Sequence, residues 1–211
     1  MIHMTVKRRF LGLSNEASNR EQDGQPWFVD AAAFVLLVAG GVALRLTCHD
    51  LPNFAPVAAI ALFAGYFFRS RMLALCVPLS VMAVSDWFLG GYHPMMMLIV
   101  YSMLALPVAF RGWLREAFDL RQKNAGVPLV GLFSCGLLSS VLFFLFTNLG
   151  VWCWFGMYDR SLAGLWHCYI AAMPFFRYTL AGDAFFSVLL FGSYALALSL
   201  SRSREVATHS S

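Results

Sequence analysis

Two carboxylates, two imidazoles and a guanidinium fall in or beside apolar stretches of this chain, as Asp86, Asp183, His93, His167 and Arg177. Tyr92 and Asn148 add a phenol and an amide, and Trp152 a flat aromatic face. A charge at the middle of a membrane helix costs about 2.5–3.5 kcal/mol on insertion scales, so each acid must face a bundle interior, a partner or water. The set could grip a small molecule through carboxylate, imidazole, phenol and amide groups. It could instead be an ion-pair set with Arg45 and Arg177 that orders helix ends, and Asp86 and Arg177 are expected to meet. A third chemistry is general acid–base work, with His93 or His167 as base and Asp86 or Asp183 as its partner. Trp152, Trp154, Tyr158 and Trp166 suit either a membrane-interface girdle or a stacking platform for a flat ligand.

Metal and nucleophile chemistry find less to build on. Cys48-His49-Asp50 and His167-Cys168 offer ligand atoms, but no spacing matches a zinc signature, and no metal site is assigned. The HExxH, GxSxG and P-loop patterns are absent, so no catalytic residue and no cofactor follows from a motif. Of the five cysteines, Cys76 and Cys135 read as small apolar fillers. A Cys48–Cys168 disulfide is conceivable if both lie on an oxidising side.

The elements that must position these groups are set by composition. The 211 residues are 60% hydrophobic and 12% charged, with mean hydropathy +0.68. A soluble domain is nearer half apolar and a quarter charged, so the chain reads as an integral membrane protein. The net charge of +4 sits in short loops beside apolar runs, which implies a bilayer partner and no nucleic acid. Six apolar stretches can be read, at 28–46, 54–68, 72–89, 95–110, 127–149 and 179–200. A span needs about 20 residues, and the second stretch is short of that. The fold expected is all-α: six transmembrane helices in one bundle over 28–200, a polar tail over 1–27 and a disordered tail over 201–211.

Charge gives that threading a direction. Lys7, Arg8, Arg9, Arg20, Arg69, Arg71, Arg111, Arg115, Arg121, Lys123, Arg202 and Arg204 fall on one side, and only Arg45, Arg160 and Arg177 on the other. Positive charge stays cytoplasmic, so both termini are expected inside. The charges of the linker 111–126 read as a solvated face. The polar set then gathers at the outward end, with Tyr92 and His93 in a tight turn and the aromatic stretch 150–158 nearby. Pro174 should break any helix through 162–176, leaving a short lid over the outer mouth and a roof over 152–176. Ala39 and Ala43, and Ala61 and Gly65, place small residues four apart, a spacing that lets helices pack closely or dock a partner membrane protein.

Residues 52–65, the Ser85-Asp86 pair with the Gly-Tyr-His turn, residues 147–152, and residues 168–176 with Gly182-Asp183 resemble an uncharacterised bacterial integral-membrane family of unknown function, from about residue 30 to 200. The resemblance implies a bacterial cytoplasmic (inner) membrane. In size, topology and site placement the chain is also similar to the S components of energy-coupling-factor (ECF) vitamin transporters. That likeness implies an outward ligand site beneath loops and small-residue faces that dock a coupling subunit. The leading expectation is therefore a substrate-binding subunit for uptake of a small organic nutrient, powered by other membrane subunits. The alternatives are a non-catalytic accessory subunit of a larger membrane complex, and a lipid- or isoprenoid-modifying enzyme.

Overall fold

A computed structural model describes residues 26–48, 55–117 and 129–209. Among them the elements are all helical: α1 (Trp27–Thr47), α2 (Val57–Phe67), α3 (Arg71–Leu89), α4 (Pro94–Ala105), a 3-10 turn (Leu106–Phe110), α5 (Arg111–Ala117), α6 (Leu129–Trp154) and α7 (Leu162–His209). By contacts the chain divides into two units, Met1–Leu36 and Leu37–Ser211. In the first, the described residues are the opening turns of α1. The second holds the rest of α1 and all that follows.

Five segments are long and apolar enough to cross a membrane: Trp27–Thr47, Arg71–Leu89, Pro94–Arg115, Gly131–Trp154 and Leu162–Ser201. The chain thus has the build of a multi-pass membrane protein. The stretch expected as a second span is instead the 11-residue α2, about 16 Å long at 1.5 Å per residue against a hydrocarbon thickness of about 30 Å. Eight of its residues are buried, Val57 and Ala59 to Gly65. A helix enclosed by protein on all faces has no need to match the bilayer.

Enclosure creates a different need. The last carbonyls of a helix lack intrahelical donors, and water cannot serve them in a packed apolar interior. Here Arg115 supplies them, Nε donating to the Tyr66 carbonyl at 3.1 Å and Nη2 to the Phe68 carbonyl at 2.6 Å. Arg111 Nη2 donates to the carbonyls of Phe68 at 3.2 Å and Arg69 at 2.6 Å. These two arginines, expected on a solvated face, clamp the end of α2.

Small residues decide the closest approaches. A Cβ on Gly41 of α1 would stand 2.8 Å from Ile60 Cδ1 and from Val81 Cγ2, so glycine is what lets α1 seat on α2 and α3. Val57, Val81 and Met82 form a buried cluster there, with Val42, Val100 and Leu104 packed against it. Ala61 is fully buried and Gly65 backs onto Val108 and Arg111, so this pair serves internal packing and is closed to a partner. Ala39 and Ala43 are exposed. Gly90, at φ 89°, ends α3 in a backbone that other residues rarely adopt.

The largest departure from expectation is α7. It runs unbroken for 48 residues through Pro174, where a break and a separate lid were expected. Phe144 of α6 packs on both sides of the proline, against Tyr169 (centroids 5.6 Å apart) and Phe176 (4.6 Å). Tyr169 also donates to the Leu145 carbonyl at 2.9 Å. A neighbouring helix that grips both flanks keeps a proline-containing helix continuous in an apolar setting. The helix also continues over residues 201–209, since extending a formed helix is far easier than starting one. Its apolar part, Leu162–Ser201, is about 60 Å long and exceeds one hydrocarbon thickness.

Candidate functional site

Arg45 sits in the last turn of α1, and Ser85 and Asp86 are buried near the end of α3. Arg45 Nη1 donates to Asp86 Oδ1 at 2.5 Å and to Ser85 Oγ. The Ser85 hydroxyl donates to the Val81 carbonyl at 2.6 Å, which leaves its oxygen free to accept. Tyr101 of α4 donates to Asp86 Oδ2 at 2.9 Å. Both carboxylate oxygens are thus occupied, and three helices are tied by charge-assisted bonds. Tyr92, between α3 and α4, stands in this field. Burial pushes its hydroxyl up to about 12, with the Asp86 charge adding to the rise and Arg45 opposing it, so Tyr92 stays a neutral donor at physiological pH.

Beside this cluster lies a cavity of about 340 Å³, walled by α1, α2, α3, α4, α6 and α7. Val57, Met82, Val100, Leu104 and Phe143 give it apolar walls, and Arg45, Cys48 and Tyr92 line it from the α1 and α3 ends. The remaining polar groups come from α6 and α7: Ser139, Ser140, Thr179 and Asp183. Asp183 is 6% exposed, and Ser140 Oγ stands 2.6 Å from its Oδ2. The size is at the low end of small-molecule pockets, and a few polar groups set in apolar walls is their usual make-up. A second hollow of about 230 Å³ adjoins it, sharing Val100, Phe143 and Thr179.

The eight residues singled out from sequence divide. Asp86, Tyr92 and Asp183 come to the main cavity or its edge. Asn148 lines the smaller hollow, its Nδ2 donating to its own helix at the Phe144 carbonyl, 2.8 Å away. His93 is exposed and lies against Phe155 (centroids 5.6 Å apart). Trp152 closes the α6–α7 turn, donating to the Asp159 carbonyl at 2.9 Å beneath the Arg160 guanidinium. His167 and Arg177 are exposed, and neither makes a hydrogen bond or ion pair among the described residues. The expected meeting of Asp86 with Arg177 gives way to Asp86 with Arg45. No residue of the expected roof, 152–176, lines the main cavity.

Sequence reasoning missed Tyr101, Ser140 and Thr179, and treated Arg45 only as an ion-pair partner. A Ser139-Ser140 pair inside an apolar run was the available signal. All five cysteines are free, and Cys168 donates to the Asn148 carbonyl with Sγ 3.5 Å away. His49 and Asp50 lie outside the described residues. Among the described ones, no three His, Cys, Asp or Glu side chains group as metal ligands.

Residues 27–206 match the model of a family of unknown function, DUF6580. No curated protein and no solved structure matches the chain.

Proposed function

The chain belongs to DUF6580, which lends it no activity, and from its geometry we propose that it is a membrane-embedded substrate-binding subunit for a small organic nutrient. The observation that carries this reading is the cavity of about 340 Å³ to which six helices contribute and where hydroxyl, phenol and carboxyl groups converge inside an apolar bundle. A subunit that only held loops together would have no use for such a space. The arrangement is of the kind used by S components of ECF transporters, in which partner subunits supply energy. The exposed Ala39 and Ala43 of α1 are the face offered to such a partner. The excess of basic residues at the Arg111 end favours an orientation with that end in the cytoplasm and the Arg45 end outside.

The test is native mass spectrometry of the full chain released from membranes in mild detergent. A small organic molecule should remain with the wild type and be lost when Ala58→Leu fills the cavity. Co-purifying membrane subunits with no small molecule, and identical behaviour of Ala58→Leu, would transfer the chain to the accessory-subunit class.

A further inference from the structure

We propose that the cavity selects a small organic cation, its ammonium group seated on the Asp183 carboxylate and its carbon body against Met82, Val100, Leu104 and Phe143. This deepens the substrate-binding reading and rests on it.

Charge is the first argument. Among the described residues, the ionic groups in or bonded to the cavity wall are Arg45, Asp86 and Asp183. Arg45 and Asp86 neutralise each other. Asp183 is left over, 6% exposed and with no cationic partner among the described residues. A carboxyl held in an apolar interior without a counter-charge is costly to ionise, and a ligand that brings one positive charge removes that cost.

Hydrogen-bond capacity is the second argument, and it is independent of charge. A hydroxyl has one hydrogen to give and can also accept. Ser139 directs its hydrogen to the Cys135 carbonyl at 2.8 Å, and Thr179 directs its own to the Phe175 carbonyl at 3.3 Å. Ser140 has two acceptors in reach for one hydrogen, the Gly136 carbonyl at 2.9 Å and Asp183 Oδ2 at 2.6 Å. Asp183 Oδ1 has no donor among the described residues. The α6–α7 wall therefore presents oxygen acceptors and lacks donors. An ammonium group has three donors and no acceptor, which is the complement of that wall. On that wall a carboxylate or phosphate would meet acceptors only, the donors Arg45 and Tyr92 lining the cavity from the α1 and α3 ends.

The probes are benzylammonium, benzyl alcohol and benzoate, which share one carbon body and differ in charge. Binding to the purified full chain is measured by calorimetry in an uncharged detergent. Benzylammonium should bind the wild type more tightly than the other two. Asp183→Asn keeps the shape and should weaken benzylammonium alone, by about tenfold to a hundredfold. If that variant does not fold, the wild-type ranking decides. Benzyl alcohol or benzoate binding as well as benzylammonium overturns the cation assignment and leaves the substrate-binding reading standing. Unchanged benzylammonium affinity in Asp183→Asn also overturns it. If none of the three binds, both readings fall.

Discussion

Asp86 shows what a buried charge in an apolar helix requires. Its two oxygens are taken by Arg45 at 2.5 Å and Tyr101 at 2.9 Å, and the Arg45 and Asp86 side chains are 18% and 5% exposed. Removing one member of such a pair leaves the other charged and alone, at a cost of about 3–5 kcal/mol, whereas an apolar replacement of both is often near neutral. Arg45→Met and Asp86→Leu should each lower stability by about that amount, and the double variant by clearly less than the sum. Unfolding titrations of all four proteins in detergent measure the coupling; purely additive losses would show that the pair contributes nothing as a pair. The acids of this site were legible in the sequence because a carboxyl in an apolar run is rare and needs a reason. The hydroxyls were not, since serine and threonine are common in membrane helices and commonly bond their own backbone, and a tyrosine there reads as an interface aromatic. Arg177 was misplaced for a geometric reason. Distance from a helix end gives depth, but not which way a side chain faces, and Arg177 faces out.

Helices α2 and α7 show where reading elements from apolar runs reaches its limit. Hydropathy measures the wish to avoid water and does not separate burial in lipid from burial in protein. The most apolar stretch here is an 11-residue helix enclosed by other helices of its unit, so its hydropathy reflects burial in protein. Its end then depends on Arg111 and Arg115, and this changes how those charges are read. Arg115→Met should take this donor from the Tyr66 carbonyl, leave the Phe68 carbonyl to Arg111 at 3.2 Å, and destabilise the chain by about 1–3 kcal/mol. Arg115→Lys should recover only part of that, because a single ammonium lacks the planar fork that serves two carbonyls at once. The comparison is of thermal midpoints in detergent, and full recovery by lysine would mean that charge alone, with no specific geometry, is what the end of α2 needs. In α7 the error ran the other way. Proline is a reliable helix breaker where water can take the freed carbonyl, and a weak one where a packed neighbour such as Phe144 holds both flanks.

At the scale of the molecule, the composition alone announced a polytopic membrane protein, and five long apolar helices agree with it. Orientation rests on charge, and the clamp on α2 bears on that argument. Arg111 and Arg115 are held by carbonyls, so they are poor independent witnesses to topology. Setting them aside still leaves ten basic residues on the expected cytoplasmic side against Arg45, Arg160 and Arg177, and Arg45 is itself neutralised by Asp86. The sides are kept because α1 and α3 end together, at Arg45 and Asp86, so the chain returns to the Arg71 end between them although α2 is shorter than a full span. The bias predicts that the α6–α7 turn, where Met157 is 67% exposed, faces outward, and that the exposed start of α5 at Gly112 faces the cytoplasm. With the five native cysteines replaced, Met157→Cys should react with a membrane-impermeant maleimide applied to intact cells. Gly112→Cys should react only after the membrane is opened. The reverse pattern would put the Arg45–Asp86 end and Tyr92 in the cytoplasm. An uptake subunit must meet its substrate from outside, so that result would leave the cavity and its cation preference intact while removing capture from the exterior as their purpose.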